Sequence, residues 1–109
     1  MSKLVIHNEA QPEWTQVIDA KVTFMLDSMM HNFRRVEISF SGRGRTTEGS
    51  YSAYICTLVI TETSGVRHEL HNEQPDPNVA IEGALARGRR SMTRTRRVRN
   101  TGWRQASAR

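Results

Sequence analysis

Residues 76–99, DPNVAIEGALARGRRSMTRTRRVR, begin as an amphipathic helix and end as a run of arginines. Asp76 can cap the free backbone N–H groups of a helix, and Pro77 suits the first helical position, where a proline loses no hydrogen bond. At about 100° per residue, one stripe contains Ile81, Ala84, Leu85, Gly88, Met92 and Thr95. Because this stripe continues through the arginine run, the sequence predicts a folded helix with one face in the core, and not a disordered tail.

The arginines of this helix fall opposite the apolar stripe. Residues 87–99 hold seven arginines and no carboxylate. The outward row consists of Arg87, Arg90, Arg94 and Arg97, and it is flanked on one side by Arg89 and Arg96. Like charges at this spacing repel by a few tenths of a kcal/mol per pair, so a merely solvated helix face is the less favoured interpretation. Guanidinium groups match phosphate oxygens in geometry and charge, and we therefore expect this row to bind RNA phosphates.

Upstream, the pattern predicts four strands and a first helix. KLVIHN, residues 3–8, and RRVEISFSG, residues 34–42, alternate as half-buried strands do, and two further strands meet at a hairpin glycine, Gly65. A helix is expected over residues 12–31, with an apolar arc formed by Trp14, Val17, Ile18, Val22, Phe24, Met25 and Met29. Residues 41–50, SGRGRTTEGS, are expected to form a loop. The order βαβββα predicts an α+β fold, a four-stranded sheet with two helices packed on one face, like that of double-stranded-RNA-binding domains.

Length and charge indicate one domain over residues 1–100, followed by a flexible basic tail over 101–109. Residues 1–76 carry seven Lys/Arg and ten Asp/Glu, whereas residues 77–109 carry nine arginines and one glutamate. No run has the length of a membrane span or the apolar core of a signal peptide, so we expect a cytoplasmic protein that does not engage a membrane. The single cysteine, Cys56, excludes a disulfide framework and is expected in a buried strand.

Five basic residues outside the last helix are further candidates for RNA contact: Lys21, Arg34, Arg35, Arg43 and Arg45. Lys21 falls inside the apolar arc of the first helix, where its stem can pack while its ammonium reaches solvent. Arg34 and Arg35 lie where this helix leads into a strand. Arg43 and Arg45 provide either a second phosphate contact on the expected loop or only solvated charge.

Catalysis has little support in the sequence. His68 and His71 are three residues apart in a strand, so their side chains point to opposite faces and cannot easily share a metal. The carboxylates are scattered, and no glycine-rich loop has a nucleotide-binding context. We expect no catalytic residues, no metal, no cofactor and no small-molecule substrate.

The chain resembles the ribosome hibernation promoting factors, also called sigma-54 modulation proteins or ribosome-associated inhibitors. The resemblance spans about residues 3–98, and it is carried by Gly65 and His68 in a hairpin, the segment DPNVAIEGAL at residues 76–85, and the arginine run. Lys21 lies close to where the family commonly has a lysine. The chain departs from the family in its long loop at 41–50, in arginine in place of lysine, and in the lack of an aromatic residue before Ala80.

The resemblance implies binding to the small ribosomal subunit and its rRNA, in the channel that mRNA and tRNA occupy. Such binding inhibits translation in stress or stationary phase. No second, dimerising domain follows, so a monomer or weak dimer is expected. Two alternatives stay open: a general structured-RNA-binding module of the same fold, and a protein-interaction module whose basic helix binds an acidic partner or sigma factor.

Overall fold

The chain folds into a mixed four-stranded sheet with two helices on one face. The computed structural model describes the backbone of residues 3–108 and the side chains of residues 3–93. In chain order the elements are β1 (Leu4–Asn8), α1 (Trp14–Leu26), a 3₁₀ helix (Asp27–Asn32), β2 (Phe33–Arg45), β3 (Tyr51–Glu62), β4 (Arg67–Gln74) and α2 (Pro77–Ala108). The strand order is β1-β2-β3-β4, with β1 parallel to β2 and the other pairs antiparallel. The α+β fold expected from the sequence is confirmed.

The core lies between the helices and one face of the sheet. Alternation along the two central strands directs Ile38 of β2 and its cross-strand partner Leu58 of β3 to this face, and both are buried. The helices complete the core with Ile18, Val22, Leu26, Ala80, Ile81, Ala84, Leu85 and Met92. Cys56 is buried in β3 as expected, and burial raises the pKa of its thiol to about 12. Within residues 3–108, no helix covers the opposite face of the sheet, and we call it the open face.

The first helix is shorter than the expected range of residues 12–31. α1 ends at Leu26, and the chain continues as a 3₁₀ helix over Asp27–Asn32. Phe24, expected in the apolar arc, is 89% exposed. On the helical wheel it lies about 120° from Ile18, at the edge of the arc, so the sheet does not reach it. The prediction that Phe24 faces the core is wrong.

Half of the loop expected at residues 41–50 is strand. β2 continues to Arg45, and Arg43 and Arg45 pair with Ala53 and Tyr51 of β3. The ring of Tyr51 occupies the space that a side chain at Gly42 would need, so this glycine allows the two strands to pack. The glycines indicated a loop, but pairing with β3 decides the local structure. Arg43 and Arg45 therefore stand on an extended hairpin.

The second helix begins as the sequence predicts. The Asp76 carboxylate accepts hydrogen bonds from the backbone N–H groups of Asn78 at 2.8 Å and Val79 at 3.3 Å. The α2 backbone includes residues 101–108, which we expected to form a tail, but side chains after residue 93 lie outside the described part. The division at residue 100 thus stays a prediction. Within the described residues, no helix is both long and apolar enough to cross a membrane.

Candidate nucleic-acid interface

The inner face of α2 fixes the direction in which its arginines point. Ile81, Leu85 and Met92 are buried against the sheet, as the helical stripe predicts. A Cβ atom at Gly88 would lie 2.6 Å from Cδ2 of Leu58, closer than packed atoms approach. The missing side chain therefore lets α2 lie directly on β3. Because this seam holds one face of the helix, the residues on its other side remain in solvent.

Three arginines of the expected row and its flank are described, and all three are exposed: Arg87, Arg89 and Arg90. Arg87 Nη1 donates a hydrogen bond to the His71 carbonyl of β4 at 3.1 Å. Among the described residues, none of these three guanidinium groups has a carboxylate partner within 4.0 Å. The side chains of the other expected members, Arg94, Arg96 and Arg97, lie outside the described part of the chain. We call Arg87, Arg89 and Arg90 the arginine face.

The one carboxylate of α2 is already paired on another side of the helix. Glu82 is the only acidic residue in residues 77–109. Its Oε1 atom lies 2.6 Å from Nζ of Lys21, which connects α2 to α1. Lys21 thus directs its ammonium to Glu82 at the exposed edge of the two helices. Glu82 is neutralised locally and does not offset the charge of Arg87 and Arg90.

A cleft of about 300 Å³ lies between α2 and the edge strand β4. Its lining consists of Leu70, Arg87, Arg90 and Ser91. Two guanidinium groups border it, and Ser91 adds a hydroxyl beside an apolar patch from Leu70. The cleft is concave and cationic, and a phosphate group is an anion that suits two adjacent guanidinium groups.

Ser91 is tied to the sheet by a buried chain of hydrogen bonds. His68 Nδ1 lies 2.9 Å from Ser91 Oγ, and His68 Nε2 lies 2.6 Å from Glu62 Oε2. The side chains of His68 and Glu62 are only 4% and 6% exposed. His68 is therefore buried, and both of its ring nitrogens are bonded. Its partners could not be predicted, because they are 6 and 23 residues away and no local pattern joins them.

The Glu62–His68–Ser91 chain has the residue types of a hydrolase triad but lacks its surroundings. Ser91 lies within α2, where backbone N–H groups donate to carbonyls four residues earlier and are not available to an oxyanion. His68 is closed off from solvent, so it cannot easily exchange a proton with a substrate. We interpret this chain as the connection that holds α2, and with it the arginine face, in register on the sheet.

The remaining candidates do not gather at the arginine face. Arg35 and Arg43 lie on the open face, where they pair with Glu37 at 2.7 Å and with Glu73 at 3.3 Å. Arg45 is exposed at the end of β2. Arg34 lies at the start of β2 and donates to the Thr63 carbonyl at 3.4 Å. Their contribution to RNA binding stays a prediction, and their placement separates them into different surfaces.

The open face is electrically balanced. Its arginines at positions 35, 43 and 67 each pair with a glutamate of the same face, and between them β3 presents half-buried side chains such as Ile55 and Val59. The two sides of the described molecule therefore differ in charge: cationic along α2 and neutral across the sheet. A polyanion is attracted more strongly to the first surface than to the paired charges of the second.

Comparisons with protein-family models and with curated protein sequences give no match. Among solved structures, the fold is similar to that of a ribosomal subunit interface protein from Coxiella burnetii, with a TM-score of 0.65. The alignment covers 85% of this chain and 96% of that chain, at 8% sequence identity. At this identity the similarity shows a shared fold alone.

Proposed function

We propose that this chain is a cytoplasmic ribosome-associated factor that binds rRNA of the small subunit through α2 and keeps mRNA and tRNA out of their channel. The observation that carries the proposal is the arginine face: three exposed guanidinium groups, without carboxylate partners among the described residues, on a helix anchored to the core. The fold shared with a ribosomal subunit interface protein supports a ribosomal target for this surface.

The proposed mechanism is electrostatic docking followed by steric exclusion. Arginines that neutralise phosphates release condensed counterions, which supplies affinity with little dependence on base sequence. The seam at Gly88 and the Glu62–His68–Ser91 chain prevent α2 from swinging on the sheet, so docking of the helix also places the body of the protein. A folded body held in the channel competes with tRNA and mRNA for the same space. No covalent step is involved in this mechanism, and we infer a binding protein, not an enzyme.

Sedimentation with purified small subunits at moderate and high salt tests the proposal. We expect wild-type protein to pellet with the subunit at moderate salt and to be released at high salt. Arg87→Gln combined with Arg90→Gln should lower the slope of log Kd against log salt by about one for each phosphate that the variant no longer neutralises. Arg67→Gln is the matched control, because Arg67 is exposed and pairs with Glu69 on the other side of the sheet. Failure of the wild type to pellet at moderate salt would refute the proposal.

The two other candidate functions are separated by competition. A general structured-RNA-binding module binds a free RNA duplex as tightly as it binds the subunit, since duplex RNA is recognised by shape and phosphates. Such a protein is released from subunits by an excess of duplex. If the partner is instead an acidic protein, this chain should still capture that partner after nuclease treatment. A ribosome-associated factor instead remains on the subunit in the presence of duplex RNA and loses its ribosomal partners when rRNA is digested.

A further inference from the structure

The start of β2 contains a bulge that exposes two consecutive arginines. Phe33 pairs with Glu62 of β3, and the next pair joins Arg35 to Thr61, so Arg34 has no residue opposite it. Strict alternation with the buried Val36 would turn Arg34 toward the core. Because a bulge adds one residue to one strand and redirects its side chains, Arg34 and Arg35 are both exposed.

These arginines meet a lysine at a second concave surface. A cleft of about 310 Å³ is lined by Lys3, Val5, Arg34, Arg35 and Thr61, and we call it the strand-end cleft. It lies where β1 and β2 begin and β3 ends. The Glu62–His68–Ser91 chain ties α2 to this same end of the sheet. The sequence does not indicate Lys3 as a candidate, because it stands alone before the first strand. Its approach to β2 depends on the pairing of strands that are far apart in the chain.

The three cationic groups of the strand-end cleft are anchored but not saturated. Lys3 Nζ donates to the Met30 carbonyl at 3.1 Å, Arg34 Nη2 to the Thr63 carbonyl at 3.4 Å, and Arg35 Nε to Glu37 at 2.7 Å. An ammonium has three donors and a guanidinium five, so these contacts orient each group and leave further donors available. The Glu37 carboxylate offsets one of these three positive charges, so the cluster remains cationic.

We infer that the strand-end cleft binds a phosphate group. Two forked guanidinium groups and one ammonium at a concave surface match the tetrahedral oxygens and the charge of phosphate. The phosphate group can belong to an RNA backbone, and the cleft would then be a second anchor in addition to the arginine face. It can also belong to a free phosphate compound. Binding to an RNA phosphate rests on the proposed function, whereas binding to a free phosphate compound does not.

The first experiment tests the cleft without RNA. Inorganic phosphate is titrated into the full-length protein at constant ionic strength, and amide resonances are followed by NMR. We expect saturable shifts at residues 3, 34 and 35 that disappear in the Lys3→Gln, Arg34→Gln double variant and persist in Arg67→Gln. Both altered side chains of the double variant are exposed, and an unchanged thermal unfolding curve checks that it folds. The single variant Arg34→Gln provides the same readout with less perturbation.

The second experiment identifies the source of the phosphate. Affinity for the small subunit, or for duplex RNA, is measured across a range of salt concentrations. If the cleft holds an RNA phosphate, the double variant lowers the salt slope by about one to two, and Arg67→Gln leaves it unchanged. Saturable phosphate shifts with an unchanged slope support the site and assign it to a free phosphate compound. If the wild type shows no saturable phosphate shifts and the double variant leaves the slope unchanged, the inference is overturned. A wild type that binds no RNA overturns only the proposed function.

Discussion

Gly88 determines how closely α2 approaches the sheet. Replacing it with alanine places a methyl group 2.6 Å from a buried Leu58 carbon. Overpacking of this kind costs about 1–3 kcal/mol, which exceeds the gain of about 1 kcal/mol from removing a glycine from a helix. We expect Gly88→Ala to lower the free energy of unfolding by roughly 1 kcal/mol in urea titrations. Thr93→Ala, at an exposed position of the same helix, should change it by less than about 0.5 kcal/mol. An unchanged or higher stability of Gly88→Ala would show that α2 can move away from β3.

His68 supports a buried carboxylate as well as the hydroxyl of Ser91. His68→Leu removes both bonds and leaves Glu62 without this partner in a site that is 6% exposed. Each hydrogen bond lost from a site closed to solvent costs about 0.5–1.5 kcal/mol. We expect a loss of about 2 kcal/mol in the free energy of unfolding. Adding Glu62→Met to His68→Leu should restore most of it, and a double variant as unstable as the single one would assign the loss to packing instead.

The sequence predicts single residues well where one local pattern decides their position. Ile81, Leu85 and Met92 lie in the core because the helical period places them there, and Asp76 caps because its position precedes a proline. The sequence does not predict a contact when the two residues that make it lie far apart in the chain. The Glu62–His68–Ser91 chain and the approach of Lys3 to Arg34 depend on sheet register, which no single segment encodes.

Helix α1 is joined to α2 by an ion pair whose members are still partly in water. The side chains of Lys21 and Glu82 are 24% and 54% exposed. Pairs with this exposure contribute about 0–1 kcal/mol to stability, so Lys21→Met should have a small effect on unfolding. Because the Lys21 ammonium is engaged by Glu82, we also expect this variant to retain RNA affinity far better than Arg90→Gln. Glu82→Gln should change RNA affinity little, because Lys21 already neutralises this carboxylate. Equal losses for Lys21→Met and Arg90→Gln in a direct binding titration would contradict this expectation.

At the level of elements, type and order follow from the sequence, whereas boundaries do not. The glycines at 42 and 44 indicate a loop by composition, yet β3 offers a paired edge that holds residues 41–45 in a strand. The helix predicted through residue 31 ends at Leu26 because the chain then tightens into a 3₁₀ segment and leads into β2. In both places tertiary pairing overrides local propensity.

In the whole molecule, the position of each strand in the sheet predicts how stable that strand is against local opening. β2 and β3 are paired on both sides and contribute the most buried strand residues, whereas β1 and β4 are edges. We expect amide hydrogen exchange to be slowest in the centres of β2 and β3 and faster in β1, since edge strands open by smaller fluctuations. Exchange in β1 as slow as in β3 would indicate that the parallel β1–β2 pair opens only with global unfolding.

We expect the contact between Arg87 and the His71 carbonyl to affect self-association as well. β4 is an edge strand, and unpaired backbone groups on such an edge are templates for another chain. Arg87 caps one of these carbonyls with its guanidinium group, and charged side chains at Arg67, Glu69 and Glu73 discourage a second strand from joining. The side chain that we propose as a phosphate contact is thus also expected to protect the edge of the sheet. When phosphate engages this arginine, the ligand would cover that stretch of edge instead.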